Sequence, residues 1–124
     1  MKVYKQLLGP DDYVGRVEGN GRVYGQRLGP DDYLGRVEGS GRVYAHVPGG
    51  PDRYLGRVQR DGDIYLNVPG APDKEVGHVD KNGKIYLRRQ GLASDDLLGR
   101  VEGSDAEVRL AGAAAFFLLL LDAE

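Results

Sequence analysis

The chain has 124 residues, which is enough for one domain with a buried core and too few for a second domain of ordinary size. Its net charge is -2 at pH 7 and acids are mixed with bases along the sequence, which excludes the basic surface of proteins that bind nucleic acids or anionic lipids. Cysteine is absent, so disulfides, thiolate catalysis and zinc-thiolate sites are excluded and a reducing compartment is favoured. Because residues 1–5 contain no apolar run of the kind found in secretory signals, we expect a cytoplasmic protein.

Two short motifs recur five times each along the chain, which indicates a tandem repeat. The first motif is Val-Tyr or Ile-Tyr, and its copies begin at Val3, Val23, Val43, Ile64 and Ile85. The second is Gly-Arg-Val, with Gly-His-Val as one variant, and its copies lie 20 to 22 residues apart. These copies begin at Gly15, Gly35, Gly56, Gly77 and Gly99. Runs of β-branched and aromatic residues between turn residues predict strands, so each repeat is expected to be a β-hairpin unit.

The loop from each Gly-Arg-Val to the next Val-Tyr predicts a tight hairpin turn. In the first repeat Gly21 stands at its third position, as suits a three-residue loop with glycine in the left-handed bulge position. In this register Val17 lies opposite Val23, and Glu18 lies opposite Arg22 as a stabilising charge pair. The same charge pairing is expected between Glu38 and Arg42 and between Asp80 and Lys84.

The connections from each Val-Tyr back to the next Gly-Arg-Val carry a different turn signal. Proline presets the backbone of such a turn and the aspartate after it caps the turn. The pair occurs at Pro10, Pro30, Pro51 and Pro72. Alternation of the two turns predicts an up-and-down antiparallel meander of about ten strands.

The two ends of the repeat region complement each other. The Gly-Arg-Val strand at Gly99 has no Val-Tyr strand after it, whereas the Val-Tyr strand at Val3 has no Gly-Arg-Val strand before it. We therefore expect the N-terminal strand to pair antiparallel with the strand around Val101. This pairing would close the sheet into a barrel with no exposed hydrogen-bonding edge.

The C-terminal segment predicts a helix inside this barrel. Residues 104–107 read Ser-Asp-Ala-Glu, a capping box that opens a helix. The run from Leu110 to Leu121 has no polar face, which is typical of a helix buried on every side, and it is too short to span a bilayer. Small residues such as Gly112, and the motif glycines on the inward face of the strands, would leave room for it.

These elements define the expected fold. We predict a single domain over residues 1–124, mainly β, with five β-hairpin repeats in residues 1–103. The repeats form a closed, pseudo-five-fold, up-and-down barrel around a central apolar helix in residues 104–124.

Repeats of the form Tyr-x-Gly-Arg-Val-x-x-x-Gly-x-Val-Tyr, ending in an apolar helix, resemble the bacterial β-flower repeat proteins over nearly the whole chain. The resemblance implies β-hairpins set around a central helix, and it implies no catalytic residues because the family is largely without assigned function. A weaker likeness to membrane-occupation-and-recognition-nexus repeats rests on the shared Tyr-x-Gly. The unit in this chain is shorter, and Arg16 stands where those repeats carry a bulky aromatic residue.

Acidic side chains concentrate in the return turns, which a barrel would gather at one rim. Rims rich in oxygen ligands can hold Ca²⁺, so a weak cation site is one hypothesis for these residues. Ordinary turn formation is the other explanation, and no spacing matches a known calcium loop. The rim residues are Asp11, Asp12, Asp31, Asp32, Asp52, Asp73, Asp95 and Asp96.

Basic and aromatic motif residues are expected on the outer face of the barrel. An arginine ring joined by His78 could hold an anion, whereas acids two residues further on favour a self-neutralising, solvated face. The tyrosines could stack on sugars or peptides, or simply cover the arginine stems. The arginines are Arg16, Arg36, Arg57 and Arg100, and the tyrosines are Tyr4, Tyr24, Tyr44, Tyr65 and Tyr86.

The sequence contains no recognisable catalytic constellation. Serine occurs three times, threonine is absent, and the two histidines, His46 and His78, stand at unrelated repeat positions. We therefore expect no enzyme activity, no cofactor and no metal centre. The leading hypothesis is a monomeric binding or scaffold module whose protein or small-molecule partner meets a barrel rim or the outer face, with neither nucleic acid nor membrane as partner. The alternative is a membrane-associated or oligomerising module that uses the apolar helix.

Overall fold

The computed structural model describes residues 1–6, 10–26, 32–89, 95–103 and 108–121. Ten strands in these ranges form one closed antiparallel barrel in which each strand pairs with its neighbours in sequence. They are β1 (Lys2–Lys5), β2 (Asp12–Val17), β3 (Arg22–Gly25), β4 (Asp32–Val37), β5 (Arg42–Ala45), β6 (Arg53–Val58), β7 (Asp63–Leu66), β8 (Lys74–Val79), β9 (Lys84–Leu87) and β10 (Asp96–Val101). A helix follows, as α1 (Val108–Ala115) and a π-helical segment (Phe116–Leu120). The capping box predicted at residues 104–107 lies outside the described residues.

β1 and β10 close the barrel, as the unmatched ends of the repeat region predicted. Val3 lies opposite Val101 and Tyr4 lies opposite Arg100 in an antiparallel ladder. Because β1 also pairs with β2, and β10 with β9, neither strand presents an open edge to another chain. The prediction of a closed up-and-down barrel of five hairpins is confirmed.

The tight turns have the predicted three-residue form. In the first hairpin the Gly21 amide donates to the Glu18 carbonyl at 2.9 Å, and Val17 pairs with Val23. The third loop position requires a positive φ, between 88° and 99°, which glycine adopts at little cost. The four glycines are Gly21, Gly41, Gly62 and Gly83.

The acids that open these turns do not form the side-chain charge pairs expected from the sequence. Glu18 and Arg22 are joined through their backbones, but the Glu18 carboxylate binds Arg16 at 3.1 Å. Glu38 likewise binds the motif arginine of its own strand, at 3.4 Å. The Asp80 carboxylate accepts the amides of Asn82 and Lys84 at 2.9 and 3.0 Å instead. A carboxylate beside a hairpin turn therefore binds the nearest donor, which the cross-strand register alone does not identify.

Each Gly-Arg-Val strand contains a β-bulge next to its glycine. Val3 lies opposite Gly15 and Tyr4 opposite Tyr13, so Val14 is the extra residue of β2. The bulge interrupts the two-residue alternation: Val14 packs against the core, while Tyr13 stacks on Tyr4 with ring centroids 5.7 Å apart. Register shifts recur at the same place in the other four repeats. The strict alternation assumed for these strands is therefore wrong at this point.

The motif glycines form a ring around the π-helical segment. A methyl group on Gly77 would come within 2.5 Å of the Phe116 ring, and one on Gly56 within 2.7 Å of the Phe117 ring. At Gly35, Gly15 and Gly99 it would lie 3.0 to 3.2 Å from Leu118, Leu119 and Leu120, respectively. At all five glycines it would also come within 2.1 to 2.7 Å of a tyrosine carbonyl oxygen on the adjacent strand. Each glycine is therefore required by the neighbouring strand and the helix together.

The π-helical form follows from this arrangement. Five consecutive helix residues meet five successive hairpins, so each residue advances by one-fifth of a turn. An α-helix advances by more than a quarter of a turn per residue and would drift out of register. The wider π-helix, with a bond from the Leu121 amide to the Phe116 carbonyl at 2.9 Å, comes closer to the required rotation. The central helix is confirmed, but its second half is π-helical because the barrel dictates the rotation.

The core consists of a ring of β-branched side chains wrapped around the helix. Phe116 is the largest fully buried side chain, with 0% of its surface exposed. Its burial contributes about 1.5–3 kcal/mol before entropy is considered. The helix residues before Phe116 are small. Ala113 to Ala115 are fully buried, and a methyl group on Gly112 would collide with Val79. Within the described ranges, no helix is long and apolar enough to cross a membrane.

Candidate functional site

Aspartates of the return turns bind arginines that lie two strands away. Asp73 contacts Arg57 at 3.0 Å, Asp11 contacts Arg100 at 3.4 Å, and Asp52 pairs with Arg36. Each of these arginines also lies over the tyrosine of the intervening strand, at 4.3 to 4.6 Å from the ring centroid. The tyrosines are Tyr65, Tyr4 and Tyr44. We refer to this unit as the Arg–Tyr–Asp clasp, and it connects neighbouring hairpins.

Two of the clasp arginines, and Arg16 at the equivalent position of the first repeat, also bind the acids at the hairpin turns. Arg100 contacts Glu102 at 3.8 Å, and Arg16 and Arg36 bind Glu18 and Glu38 as described above. About a third of each arginine side chain is exposed, so each pair contributes less than about 1 kcal/mol. The predicted self-neutralising outer face is confirmed, and this geometry favours a structural role for the arginine ring.

Two aspartates of the predicted cation rim bind the segment before β10. Asp95 accepts the Arg89 amide at 3.3 Å and lies 3.8 Å from the Arg88 guanidinium. Asp96 pairs with the Arg89 side chain at 3.0 Å. These carboxylates therefore neutralise arginines of the preceding strand end.

The remaining rim residues are the first residues of strands or lie outside the described residues. Asp12 and Asp32 are the first residues of β2 and β4, and Asp31 lies outside the described residues. In the parts of the chain that the structure describes, no three Asp, Glu or His side chains gather in a way that could hold a metal ion. The cation hypothesis stays a prediction, and the geometry described supports the turn and clasp roles.

The fourth hairpin replaces the clasp by a cluster of hydrogen bonds and ion pairs. His78 stands where the other repeats have arginine, and its ring nitrogen lies 2.8 Å from Asp63. Arg88 joins the cluster through Asp63 at 3.3 Å and Glu75 at 2.6 Å. All four side chains are partly exposed, so the cluster replaces the tyrosine pair of other hairpins without a large gain in stability.

One tyrosine of the outer face has a shifted pKa. Partial burial, followed by the negative charge of Asp73, raises the pKa of the Tyr54 hydroxyl above its usual value of 10.0. A raised pKa keeps the phenol protonated at neutral pH and makes it a poorer nucleophile or base. Tyr54 is thus a packing residue that stacks on Tyr44 at 5.4 Å between centroids.

A pocket of about 280 Å³ lies at the end of the barrel where α1 begins, which we refer to as the α1 end. Its inner wall is apolar and comprises Val17, Val37, Leu110 and Ala111. Its rim is polar and consists of Glu18, Gly19, Asn20 and Gly21 of the first hairpin turn and Gly39 of the second. Met1 completes the lining.

Three features leave this space open. The first loop position is glycine in the first two hairpins, and a side chain added at Gly19 or Gly39 would meet nothing within 4 Å. On another side, Arg109 donates to the Gln59 carbonyl at 3.3 Å, which holds α1 toward the third hairpin. In addition, the single helix α1 has no five-fold symmetry, so it cannot fill the end of a five-fold barrel evenly. The sequence signal for the pocket is the pair of loop glycines, but the pocket depends on where α1 lies.

No protein-family model matches this chain, and neither a curated protein nor a solved structure shows significant similarity to it. The pocket and its chemistry are therefore the basis for assigning a function.

Proposed function

We propose that this protein is a non-enzymatic binding module that holds a small, largely apolar ligand in the pocket at the α1 end. The supporting observation is the composition of the pocket, with an apolar inner wall and a polar rim around about 280 Å³. Ligand sites commonly combine apolar walls with a few polar groups that orient the ligand. The closed barrel and its buried helix form the walls, so binding requires little ordering of the protein.

The volume and rim indicate the chemical class of the ligand. A dry apolar cavity of about 150 Å³ binds one benzene molecule, and this pocket has about twice that volume. It therefore suits a two-ring aromatic or an aliphatic group of similar size. The rim is formed by the first hairpin turn, whose residues Glu18 and Asn20 carry oxygen acceptors. We expect the ligand to carry a hydroxyl or amine that donates to an acceptor of this turn.

The first experiment is a titration of the full chain with 2-naphthol, which has the expected size and one donor. Binding is followed by naphthol fluorescence and by ¹H–¹⁵N NMR shifts. We expect saturable binding, with shifts confined to the amides around Gly19, Gly39 and Leu110. Lack of saturation, or shifts spread over the outer face, would refute the assignment.

A pair of glycine variants provides the matched control. Gly39→Leu adds a side chain into open space at the pocket and is expected to abolish naphthol binding without unfolding the protein. Gly50→Leu adds the same side chain in a return turn, where its Cβ would lie 3.6 Å from Val47. We expect Gly50→Leu to bind naphthol like the unmodified chain. Equal binding by both variants would contradict the proposed location.

The burial of the helix favours this hypothesis over a membrane-associated or oligomerising module. The side chains of Ala113 to Phe116 are fully buried inside the barrel and are occupied by contacts within the chain. We further propose that the protein is a monomeric, cytoplasmic member of the β-flower repeats. The repeated hairpins around a central helix and the absence of cysteine support this proposal.

A further inference from the structure

A second concavity at the α1 end differs in chemistry from the apolar pocket. It has a volume of about 340 Å³ and lies between α1 and the turns of the third and fourth hairpins. Three basic residues line it, namely Arg60, Lys81 and Arg109. The other lining residues are Asp61, Gly62, Val79, Asp80 and Val108. We refer to this space as the basic cleft.

The repeat pattern shows that two of these cations are departures from the common unit. Arg60 and Lys81 occupy the first loop position, and the equivalent residues of the first, second and fifth repeats are Gly19, Gly39 and Gly103. The two basic loops are neighbours around the barrel, and both face the helix residue Arg109. The hairpin fold does not require a cation at this position, because glycine serves there in the other repeats.

The two acids of the basic cleft are committed to their own turns. Asp61 accepts the Asp63 amide at 2.9 Å, and Asp80 accepts two turn amides through one oxygen. Three cations against two carboxylates leave the lining with a net positive charge. Arg109 is held in place by its bond to the Gln59 carbonyl, which engages one of the five donors of a guanidinium.

We propose that the basic cleft binds the phosphoryl group of a small molecule. A phosphoryl group offers three strong acceptor oxygens and close to two negative charges at neutral pH. Two guanidinium groups and one ammonium can contact these oxygens from three sides, with the planar guanidinium fork suited to paired contacts. A monoanionic carboxylate would meet the same cations with less charge. This site is separate from the apolar pocket and does not depend on the naphthol experiment.

The test is an NMR titration of the full chain with inorganic phosphate at constant ionic strength, balanced by chloride. We expect the amides of Gly62, Val79 and Val108 to shift along one saturable curve. Glycerol phosphate forms a second arm: tighter binding of the ester identifies a phosphorylated small molecule, and tighter binding of inorganic phosphate identifies the free ion. Acetate forms the third arm and is expected to bind more weakly than either. An equal response to acetate or chloride would overturn the phosphoryl assignment.

Two charge-matched double variants complete the experiment. Arg60→Gln with Lys81→Gln removes two cations of the basic cleft, and we expect phosphate affinity to fall at least about ten-fold. Arg53→Gln with Lys74→Gln removes two exposed cations at the beginnings of β6 and β8 and should leave the affinity unchanged. Equal loss in both variants would show that phosphate responds to overall charge, and the proposal would fail. Thermal melts of both variants establish that the fold is intact.

Discussion

Phe116→Ala tests whether the helix is the centre of the core. The Phe116 ring is fully buried, lies in van der Waals range of the position of Gly77, and meets the Phe117 ring edge-on at 5.2 Å between centroids. Its removal leaves a cavity that a rigid, closed barrel cannot collapse to fill. Phenylalanine-to-alanine changes at buried sites cost about 3–5 kcal/mol, and the lost ring pair is part of that cost. A domain of this size has a total stability of about 5–15 kcal/mol, so the change should remove a large fraction of it.

Phe117→Ala is the matched control, because it deletes the same side chain one residue further on. Phe117 is only partly buried, so its loss should cost less, about 1–3 kcal/mol. The measurement is urea unfolding followed by far-ultraviolet circular dichroism, with the slope against urea checked for equality among the three proteins. If Phe116→Ala costs no more than Phe117→Ala, the helix is not packed inside the barrel as described.

Two further predictions concern the fit of α1 and the outer tyrosines. Gly112→Leu should overfill the barrel beside Val79 and cost about 1–3 kcal/mol, seen as a melting temperature several degrees lower, whereas Gly50→Leu should melt like the unmodified chain. Equal melting temperatures for the two leucine variants would show that the barrel has spare room at Gly112. The raised pKa of Tyr54 means that the folded protein holds the phenolic proton more tightly than the unfolded chain does. The free energy of unfolding should therefore fall as the pH rises above 10.0. Tyr54→Phe should lose less stability over that range in denaturant titrations, and identical pH profiles would contradict the assignment.

The sequence predicts the barrel because the evidence is local and repeated. Each motif identifies a strand, each loop glycine identifies a turn, and the unpaired motifs at Val3 and Gly99 identify the closure. The β-bulge at Val14 is not predicted, since strict alternation describes the strand well until the partner register is known. The π-helical segment is a property of the whole barrel, because only five hairpins in a ring determine the rotation per residue.

The candidate sites are also hard to predict, because they depend on how the whole barrel and its helix are arranged. The clasp has a sequence signal, since the partners Arg36 and Asp52, like Arg57 and Asp73, are separated by 16 residues in neighbouring repeats. That spacing identifies paired residues without showing that a tyrosine lies between them. The apolar pocket and the basic cleft depend on the position of α1, which no repeated motif encodes.

The ring of glycines around the π-helical segment fixes the number of hairpins. Stacked solenoids gain or lose units freely, because each unit contacts only its immediate neighbours. In this protein every hairpin also contacts one residue of a single helical turn, so a sixth hairpin would have no helix residue to meet its glycine. Duplication of one repeat should therefore yield a chain that leaves a unit out of the ring or fails to close it.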